Sequence, residues 1–229
     1  MIKVSIIVPA YNEEKTIIEL LRSVADQSIE DFEFEVIVID DGSSDSTPTL
    51  LMENAGLYDI LLTLPQNRGK GGAVKMGLKE ASGDFILFQD ADLEYDPIDY
   101  QTLLLPIKDL SADVVIGSRF SAPPYTRVHY FWHKIGNRFI TLFFNLLNNT
   151  TFTDIYSCYL VYRRELFDAT SLKTEGWGQH AEVLSRAIKN AGIIYEVPIR
   201  YRGRQYNEGK KIKGIDTIPV LWAICRFRF

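Results

Sequence analysis

The feature that most constrains the fold of this chain is an alternation in its first half. Short apolar runs rich in β-branched residues alternate with segments of helical periodicity. Strands that are apolar on both faces and alternate with helices indicate a mostly parallel central sheet flanked by helices, which is an α/β fold. The predicted strands are residues 4–8, 34–39, 60–64, 85–89 and 114–116. The predicted helices cover 17–24 and 70–81, and two more begin near Pro48 and Pro97.

The second half of the chain has a less regular pattern. A long aromatic-rich helix is predicted over 130–147, and a second helix over 181–191. Strands are predicted at 159–162 and at 193–201, where Pro198 favours the edge of the sheet. No linker divides the chain, and its length of 229 residues suits one large domain when a domain has about 150 residues. We therefore predict one domain with a less regular C-terminal part.

Charge and cysteine content exclude several classes of protein. The net charge is −5 and the pI about 5.3, so no broad nucleic-acid binding is expected. Cys158 and Cys225 are too few for a disulfide framework or a zinc cluster, which fits a reducing cytoplasm. No apolar run approaches the roughly 20 residues that span a bilayer. The N-terminal apolar stretch ends at Pro9 without a small-residue cleavage site, which predicts a strand rather than a signal peptide.

Polar residues follow the predicted strands at their carboxyl ends. In open α/β sheets, ligands bind just beyond these ends. The residues concerned are 9–14, 40–45, 90–94 and 117–119. We therefore expect side chains that are far apart in the sequence to meet at one rim of the sheet, with Asp41 in the same cavity as Asp92.

The segment 84–99 contains six acidic residues and no basic residue. Within it, Asp90 and Asp92 directly follow an apolar strand, and such neighbouring carboxylates repel each other unless a cation is present. Hard oxygen ligands suit Mg²⁺ or Mn²⁺, whose coordination phosphate oxygens often complete. The alternative is an acidic turn that caps a helix. Because Asp96 alone would provide that cap, Glu94 and the two aspartates favour the metal.

Three residues after the first two strands suit a nucleoside. Asp41 is a candidate to accept hydrogen bonds from a base or ribose, although 40–43 also fits a plain strand-to-helix turn. Tyr11 is a candidate to stack on a base. Glu13 fits either a binding role or the first turn of a helix, where the dipole favours an acid.

The sequence leaves the roles of two basic segments open. Residues 67–72, which include Lys70, are glycine-rich and basic, but they lack the spacing of known phosphate-binding loops. Close packing of a helix on the sheet explains them at least as well. Residues 200–213 contain six basic residues and one acid. They fit a solvated loop and a mobile lid that binds phosphates equally well.

The predicted helix 130–147 is unusually apolar. Such a helix is either buried in protein or in contact with lipid, and burial is the simpler alternative. Basic and histidine side chains in and before the helix, at positions 127, 129, 133, 134 and 138, would suit an anionic membrane surface. One helical stripe contains Ile135, Phe139, Leu142, Phe143 and Leu146.

Taken together in their order, the motifs resemble one known family. The first half contains Val-Pro-Ala-Tyr-Asn-Glu-Glu at 8–14, Asp-Asp-Gly-Ser at 40–43, Gly-Lys-Gly-Gly-Ala at 69–73, Asp-Ala-Asp-Leu at 90–93 and Gly-Ser-Arg at 117–119. The chain resembles the family-2 glycosyltransferases with the GT-A fold. It is most similar to their dolichyl- or polyprenyl-phosphate hexosyltransferase branch, through Thr-Asp at 153–154, Ser-Cys-Tyr at 157–159, Arg-Arg at 163–164, Arg204 and 208–211.

The resemblance implies a nucleotide-diphosphate-sugar donor and a divalent metal, Mg²⁺ or Mn²⁺. It implies one catalytic domain over 1–229, with a nucleotide-sugar-binding half at 1–119 and an acceptor and lid half at 120–229. The substrate-binding residues expected by position are Pro9, Tyr11, Glu13, Ile39, Asp41, Lys70, Asp90, Ala91, Arg119, Arg204 and Lys211. The expected metal ligands are Asp92 and Glu94. The chain departs from the family pattern at Cys158, where a glycine is expected, and in the lid sequence at 208–211.

The implied reaction is an inverting transfer of a hexose, of the GDP-mannose or UDP-glucose type, to a polyprenyl or dolichyl phosphate. Asp92 and Arg119 are the expected catalytic residues. A sugar-hydroxyl acceptor would in addition need a general base, for which Asp154 and Glu182 are the candidates. The alternatives are a glycosyltransferase that extends a cell-surface or capsular glycan, and a non-catalytic nucleotide-sugar-binding protein. We expect a cytoplasmic protein with peripheral contact to the cytoplasmic face of the membrane.

Overall fold

The computed structural model describes residues 1–121, 131–176, 178–203 and 217–228. Arg204 and Lys211 lie outside the described residues, as does most of the predicted basic lid. The expectations for these two side chains therefore stay predictions.

The core of the molecule is a seven-stranded sheet with the strand order β3-β2-β1-β4-β6-β5-β7. Strand β6 is antiparallel to both its neighbours, and the other pairs are parallel, which confirms the predicted mostly parallel sheet. The strand with Pro198 is β7, and it lies at an edge as predicted. The strands are β1 Ile2–Ala10, β2 Phe32–Asp40, β3 Ile60–Thr63, β4 Phe85–Phe88, β5 Val114–Ser118, β6 Leu160–Arg163 and β7 Ile194–Pro198.

Some of the helices pack on the sheet, and others pack on one another. The helices are α1 Ile17–Ala25, α2 Thr47–Glu53, α3 Lys70–Glu80, α4 Tyr100–Leu110, α5 Phe131–Asn148, α6 Gln179–Asn190 and α7 Thr217–Arg228. Helix α3 packs on β1 and β2, α4 packs on β5 and β7, and α7 contacts both α5 and α6. The sequence pattern did not predict α7. No helix among the described residues combines the length and the apolarity needed to cross a bilayer.

Strand β1 explains why the sheet forms where the sequence predicts it. Val4, Ile6 and Val8 are fully buried, as is Ile7 on the opposite face. A strand that is apolar on both faces is stable only when layers cover both sides of it. Burial of several aliphatic side chains of this size, at about 1.5–3 kcal/mol each, fixes β1 in the interior of the sheet.

A buried polar network holds the start of β1. Ser5 is fully buried, and its hydroxyl donates to the carboxylate of Glu35 on β2. The same carboxylate accepts hydrogen bonds from the Lys3 ammonium at 2.8 Å and the Ser82 amide at 2.9 Å. Burial opposes ionisation of Glu35, but these donors outweigh it and lower its pKa to about 2. The network thereby ties β1, β2 and the turn before β4 together.

The antiparallel strand β6 determines which chain segments reach the rim of the sheet. Leu160, its first residue, pairs with Ile116 near the end of β5, and Val161 pairs with Leu87 near the end of β4. The residues that precede β6 therefore arrive at the rim where the parallel strands end. Segments from both halves of the chain meet there.

Helix α5 confirms the predicted helix over 130–147, but most of its apolar stripe is not buried among the described residues. Ile140 and Phe144 face the core, at 6% and 0% exposure. Phe139 and Leu142, on the predicted stripe, are each 57% exposed, and Leu146 is 74% exposed. Phe143, which also belongs to the stripe, is partly buried and packs against the core, so the described part of the structure leaves most of the stripe uncovered but not all of it.

We expect Glu35→Gln to lower the free energy of unfolding at pH 7 by about 1–3 kcal/mol, because a charged hydrogen-bond acceptor is lost. The folded pKa of about 2 lies below the ordinary value of 4.5. The stabilisation is therefore complete above pH 4.5 and is lost as the pH falls towards 2. Urea denaturation at several pH values measures both effects. The exposed neighbour Glu33→Gln is the control, and equal unfolding midpoints for wild type and Glu35→Gln at pH 7 would contradict the expectation.

Candidate active site

A cavity of about 420 Å³ lies at the carboxyl ends of the parallel strands. Asp41 and Asp92 both line it, so the acids that follow β2 and β4 do share one cavity. The predicted site residues that line this cavity are Pro9, Tyr11, Glu13, Asp41, Lys70, Asp90, Ala91, Asp92, Glu94 and Arg119.

One end of the cavity is built around Asp41. Its carboxylate accepts a hydrogen bond from the Arg68 amide at 2.8 Å, but burial prevails and raises its pKa. Gly42 adopts a φ of +68°, and a Cβ there would lie 2.7 Å from the backbone of Gln66. Glycine is therefore needed at this turn, which brings the chain after β3 close enough for Asn67 to line the cavity. Tyr11, 36% exposed, also lines this cavity.

An ion pair crosses the floor of the cavity. The Lys70 ammonium, at the first position of α3, donates to the Asp90 carboxylate at the end of β4. Burial opposes both charges. The attraction between the two groups outweighs this cost, so the pKa of Lys70 is raised and that of Asp90 is lowered. The Cys158 sulfur lies 3.5 Å from the same ammonium, and burial raises the pKa of this thiol. The pair leaves the floor polar without a net charge.

The predicted metal ligands, Asp92 and Glu94, lie side by side on the cavity wall. The Glu94 amide donates to Asp92 at 3.1 Å, and the Tyr201 hydroxyl donates to the Glu94 carboxylate at 2.7 Å. Among the described residues, no group of three or more acidic, histidine or cysteine side chains surrounds a common point. Mg²⁺ in nucleotide sites commonly takes only one or two carboxylates together with phosphate oxygens. Two hard oxygen ligands on one wall therefore fit such an ion.

Arg119 is held rigidly at the edge of the cavity. Asp154 accepts from its Nε at 2.6 Å and from its second guanidinium nitrogen at 2.8 Å. The guanidinium carbon lies 4.9 Å from the centre of the Tyr201 ring. The fully buried Asp154 carboxylate also accepts from Asn137 at 2.9 Å. Burial opposes its ionisation, but Arg119 outweighs burial and lowers the pKa of Asp154. The result is a guanidinium group held in a fixed orientation beside the space where a ligand would lie, with its charge balanced by Asp154.

The positions of Asp154 and Glu182 do not support the general-base role expected for a hydroxyl acceptor. Both carboxylates are fully buried, and neither is among the described residues that line the cavity. Asp154 is engaged by Arg119. Glu182 accepts from the backbone amides of Lys173 and Thr174 at 3.0 and 2.8 Å, and it pairs with Arg186. Each carboxylate is therefore already engaged in hydrogen bonds that hold a neighbouring segment in place.

Ile39 likewise lies away from the position expected for it. Its side chain is fully buried in the core and is not among the described cavity-lining residues. Gly77 of α3 lies so close to this side chain that a Cβ on Gly77 would be 2.6 Å from Ile39. The close approach of α3 to β2 covers Ile39, so this end of the cavity begins two residues later, at Asp41.

The opposite wall of the cavity comes from residues that sequence reasoning did not select. Two of them, Tyr156 and Cys158, precede the antiparallel strand β6 and therefore reach the rim, whereas the sequence analysis considered only residues that follow strands. The others follow β4 or β7, or lie in α6 and just before it. The signals from the segment before β6 in the sequence were its resemblance to the family at 153–154 and 157–159 and the departure from the family pattern at Cys158. These additional lining residues include Tyr95, Tyr156, Cys158, Gly176, Gln179, His180 and Tyr201.

The two helices whose first turns face the cavity are held together by the backbone. The Gly72 amide in α3 donates to the carbonyl of Glu175, which precedes α6, at 3.2 Å. A Cβ on Gly71 would lie 2.6 Å from that carbonyl group. The absence of side chains at these positions therefore allows the first turn of α6 to close one side of the cavity.

The sequence model described as Glycosyl transferase family 2 matches residues 5–170. The chain belongs to this family, as the order of its motifs predicted.

Curated relatives agree with the branch that the motifs suggested. A dolichol-phosphate mannosyltransferase of Pyrococcus furiosus is 30% identical over 217 residues, which are 92% of this chain and 60% of the relative. An undecaprenyl-phosphate 4-deoxy-4-formamido-L-arabinose transferase of Proteus mirabilis is 30% identical over 213 residues, which are 91% of this chain and 62% of the relative. The chain thus spans about 60% of the length of these relatives.

Solved structures share the GT-A fold with this chain. Glucosyl-3-phosphoglycerate synthase from Mycobacterium tuberculosis, solved with Mn²⁺, UDP and glucosyl-3-phosphoglycerate, has a TM-score of 0.69 at 22% identity and covers 99% of this chain and 80% of its own. S. aureus TarS has a TM-score of 0.63 at 23% identity, with 99% of this chain and 72% of its own covered. At these identities the likeness establishes the fold, which confirms the expected GT-A architecture.

We expect Gly71→Ala to lower the free energy of unfolding by about 1–3 kcal/mol, since the added methyl group would overpack against the Glu175 backbone. Gly56→Ala is the matched control, because a Cβ there meets nothing within 4 Å and should change stability by less than about 0.5 kcal/mol. Urea denaturation of both variants measures the difference. Equal stability of the two variants would show that the contact between α3 and the segment before α6 is not tight.

Proposed function

We propose that this protein transfers a hexose, with inversion, from a nucleotide-diphosphate sugar to a polyprenyl phosphate, with a divalent metal ion. The observation that best supports the proposal is the shared cavity. A carboxylate suited to a nucleoside, Asp41, the two metal-ligand candidates Asp92 and Glu94, and the fixed cation Arg119 all line it. The names of both relatives, which specify a dolichol phosphate and an undecaprenyl phosphate, support the acceptor class.

The nucleoside of the donor would lie at the end formed by β1 and β2. Asp41 is placed to accept hydrogen bonds from base or ribose, and Tyr11 offers an exposed ring for stacking. Pro9 and Glu13 line the same cavity. This arrangement agrees with a nucleotide-sugar-binding half at 1–119.

Asp92 and Glu94 would hold the metal ion together with the donor's diphosphate. The bound ion, Mg²⁺ or Mn²⁺, supplies charge neutralisation to the departing nucleoside diphosphate. The Mn²⁺ and UDP in the structure of the M. tuberculosis synthase are consistent with such a site. The hydrogen bond from Tyr201 orients Glu94 at this position.

Arg119 would position a phosphate group next to the anomeric carbon. The guanidinium is restrained by Asp154 and Tyr201, so little conformational entropy is lost when a phosphate binds. In the transfer, an oxygen of the acceptor phosphate forms a bond to the anomeric carbon. The bond from that carbon to the diphosphate oxygen breaks on the opposite face, and the nucleoside diphosphate leaves.

The state of the buried acids favours a phosphate acceptor over a sugar hydroxyl. A phosphate oxygen is already anionic and needs no general base, whereas a hydroxyl group does. Both candidate bases, Asp154 and Glu182, are fully buried and occupied by other hydrogen bonds. Transfer to a growing cell-surface glycan is therefore the weaker alternative. A non-catalytic nucleotide-sugar-binding protein would not need Arg119 fixed at the cavity.

We further propose that α5 and α7 lie on an anionic membrane surface near the lipid acceptor. Neither helix contains an acidic residue, and Lys134 and Arg138 of α5 are exposed. The Arg226 guanidinium of α7 lies 4.6 Å from the centre of the exposed Trp222 ring. Aromatic and aliphatic side chains flanked by cations are typical of helices at the membrane interface. The exposed apolar side chains here are Phe131, Trp132, Ile135, Phe139, Leu142, Leu146, Ile218 and Trp222.

We expect Asp92→Asn to lower the rate of hexose transfer by about 100-fold or more, because a metal ligand is lost. The rate is measured with GDP-mannose or UDP-glucose and polyprenyl phosphate in the presence of Mn²⁺ or Mg²⁺, with a saccharide acceptor in parallel. Asp109→Asn, an exposed acid at the end of α4, is the control and should retain full activity. Full wild-type activity in EDTA would refute the metal role, and transfer to the saccharide alone would refute the acceptor.

We expect Phe139→Glu and Leu142→Glu each to weaken binding to anionic phosphatidylglycerol vesicles by about tenfold or more. Burial of an apolar side chain of this size contributes about 1.5–3 kcal/mol. Leu105→Glu on α4 is the control, since Leu105 is 52% exposed on a helix outside the proposed surface. Vesicle co-sedimentation at low and high salt measures the effect. Equal loss in all three variants would argue against a membrane-binding face on α5.

A further inference from the structure

Two side chains in the first turn of α6 have buried polar atoms that find no hydrogen-bond partner among the described residues. Gln179 is only 3% exposed, and its side-chain nitrogen makes no hydrogen bond within the part of the chain that the structure describes. The Nε2 atom of the adjacent His180 is also buried and has no partner there. Both residues line the cavity. Native proteins rarely leave buried polar atoms unpaired, since each costs about 1–3 kcal/mol, so the two point to a ligand that supplies the missing hydrogen bonds.

The surroundings of these side chains indicate the chemistry of that ligand. Lys70 and Asp90 pair on the cavity floor and cancel each other's charge. Burial, together with the charge of Lys70, lowers the pKa of His180 to about 4, so its imidazole is neutral at pH 7. The amide of Gln179 is neutral as well. This part of the cavity is rich in donors and acceptors but has no net charge, which suits the hydroxyl groups of a sugar ring better than an anion.

The layout of the cavity leaves this region to the sugar. The nucleoside end lies at Asp41 and Tyr11, after β2 and β1, and the diphosphate would lie with the metal ion at Asp92 and Glu94. The first turn of α6 forms another polar part of the lining, and the contact between Gly72 and the preceding segment holds it against α3.

We propose that Gln179 and His180 recognise the ring hydroxyls of the donor's hexose and thereby determine which sugar is accepted. The inference rests on the proposed function, because it takes the ligand of the cavity to be a nucleotide-diphosphate sugar. The amide nitrogen of Gln179 donates to one hydroxyl oxygen, and Nε2 of His180 exchanges a hydrogen bond with another. A sugar that lacks either hydroxyl, or presents it in the wrong orientation, leaves a buried polar atom unpaired and binds less tightly.

The test compares the binding of nucleotide sugars with that of the nucleoside diphosphates alone. Calorimetric titrations with Mn²⁺ give dissociation constants of GDP, UDP, GDP-mannose and UDP-glucose for wild type, Gln179→Met and His180→Phe. For the nucleotide sugar that binds wild type most tightly, we expect the dissociation constant to rise roughly tenfold in each variant, because one hydrogen bond is lost. The constant for its nucleoside diphosphate should change by less than about twofold. His180→Asn, which keeps a polar group, should recover part of the affinity.

Ser185→Ala is the matched control. Ser185 lies on the same helix with a buried, unpartnered hydroxyl, but it is not among the described residues that line this cavity. Retained binding of the nucleoside diphosphate also shows that each variant is folded. An unchanged ratio of the two dissociation constants in both variants, or an equal loss for sugar nucleotide and diphosphate, overturns the inference alone. Wild-type protein that binds none of the four probes overturns the proposed function, and the inference with it.

Discussion

The position of β6 is the constraint on which the rest of the site depends. An antiparallel strand between two parallel ones starts at the rim where its neighbours end, so the chain on its N-terminal side is delivered to the ligand cavity. That geometry brings Asp154 to Arg119 and places Cys158 beside Lys70. A wholly parallel sheet would direct these residues to the opposite edge. The acceptor half of the chain thus completes a site whose other wall is built by the first half.

Charges in the cavity are paired before any ligand is present. Asp90 is held by Lys70, and Arg119 by Asp154, each pair largely removed from water. Such pairs contribute little net stability, because desolvation offsets their attraction. Their value lies in fixed orientation, since preorganised charges need not rearrange during a reaction. The stability of the fold therefore rests on the apolar sheet, while the ion pairs define the shape and polarity of the site.

Much of the fold follows from the sequence because the first half has strong local signals. Runs such as 36–39 are apolar on both faces, and the acids after β2 and β4 were correctly expected to share a cavity. Long-range contacts are what the sequence could not show. Nothing near Asp154 in the sequence reveals that Arg119 occupies it, and nothing near Ile39 reveals that α3 covers it. The partner of Glu182 is local by contrast, because Arg186 lies one helical turn further along α6. Gln179 and His180 have no motif of their own, and only the packing of α6 against α3 places them at the cavity.

The uncovered stripe of α5 has a consequence for handling the protein. Six large apolar side chains on one helix, two of them aromatic residues at its first turn, form an exposed patch of the kind that drives self-association in water. Without lipid or detergent to cover it, the purified protein will be prone to aggregation at high concentration. Mild detergents above their micelle concentration, rather than higher salt, are the appropriate means of keeping it monodisperse, because salt strengthens apolar contacts.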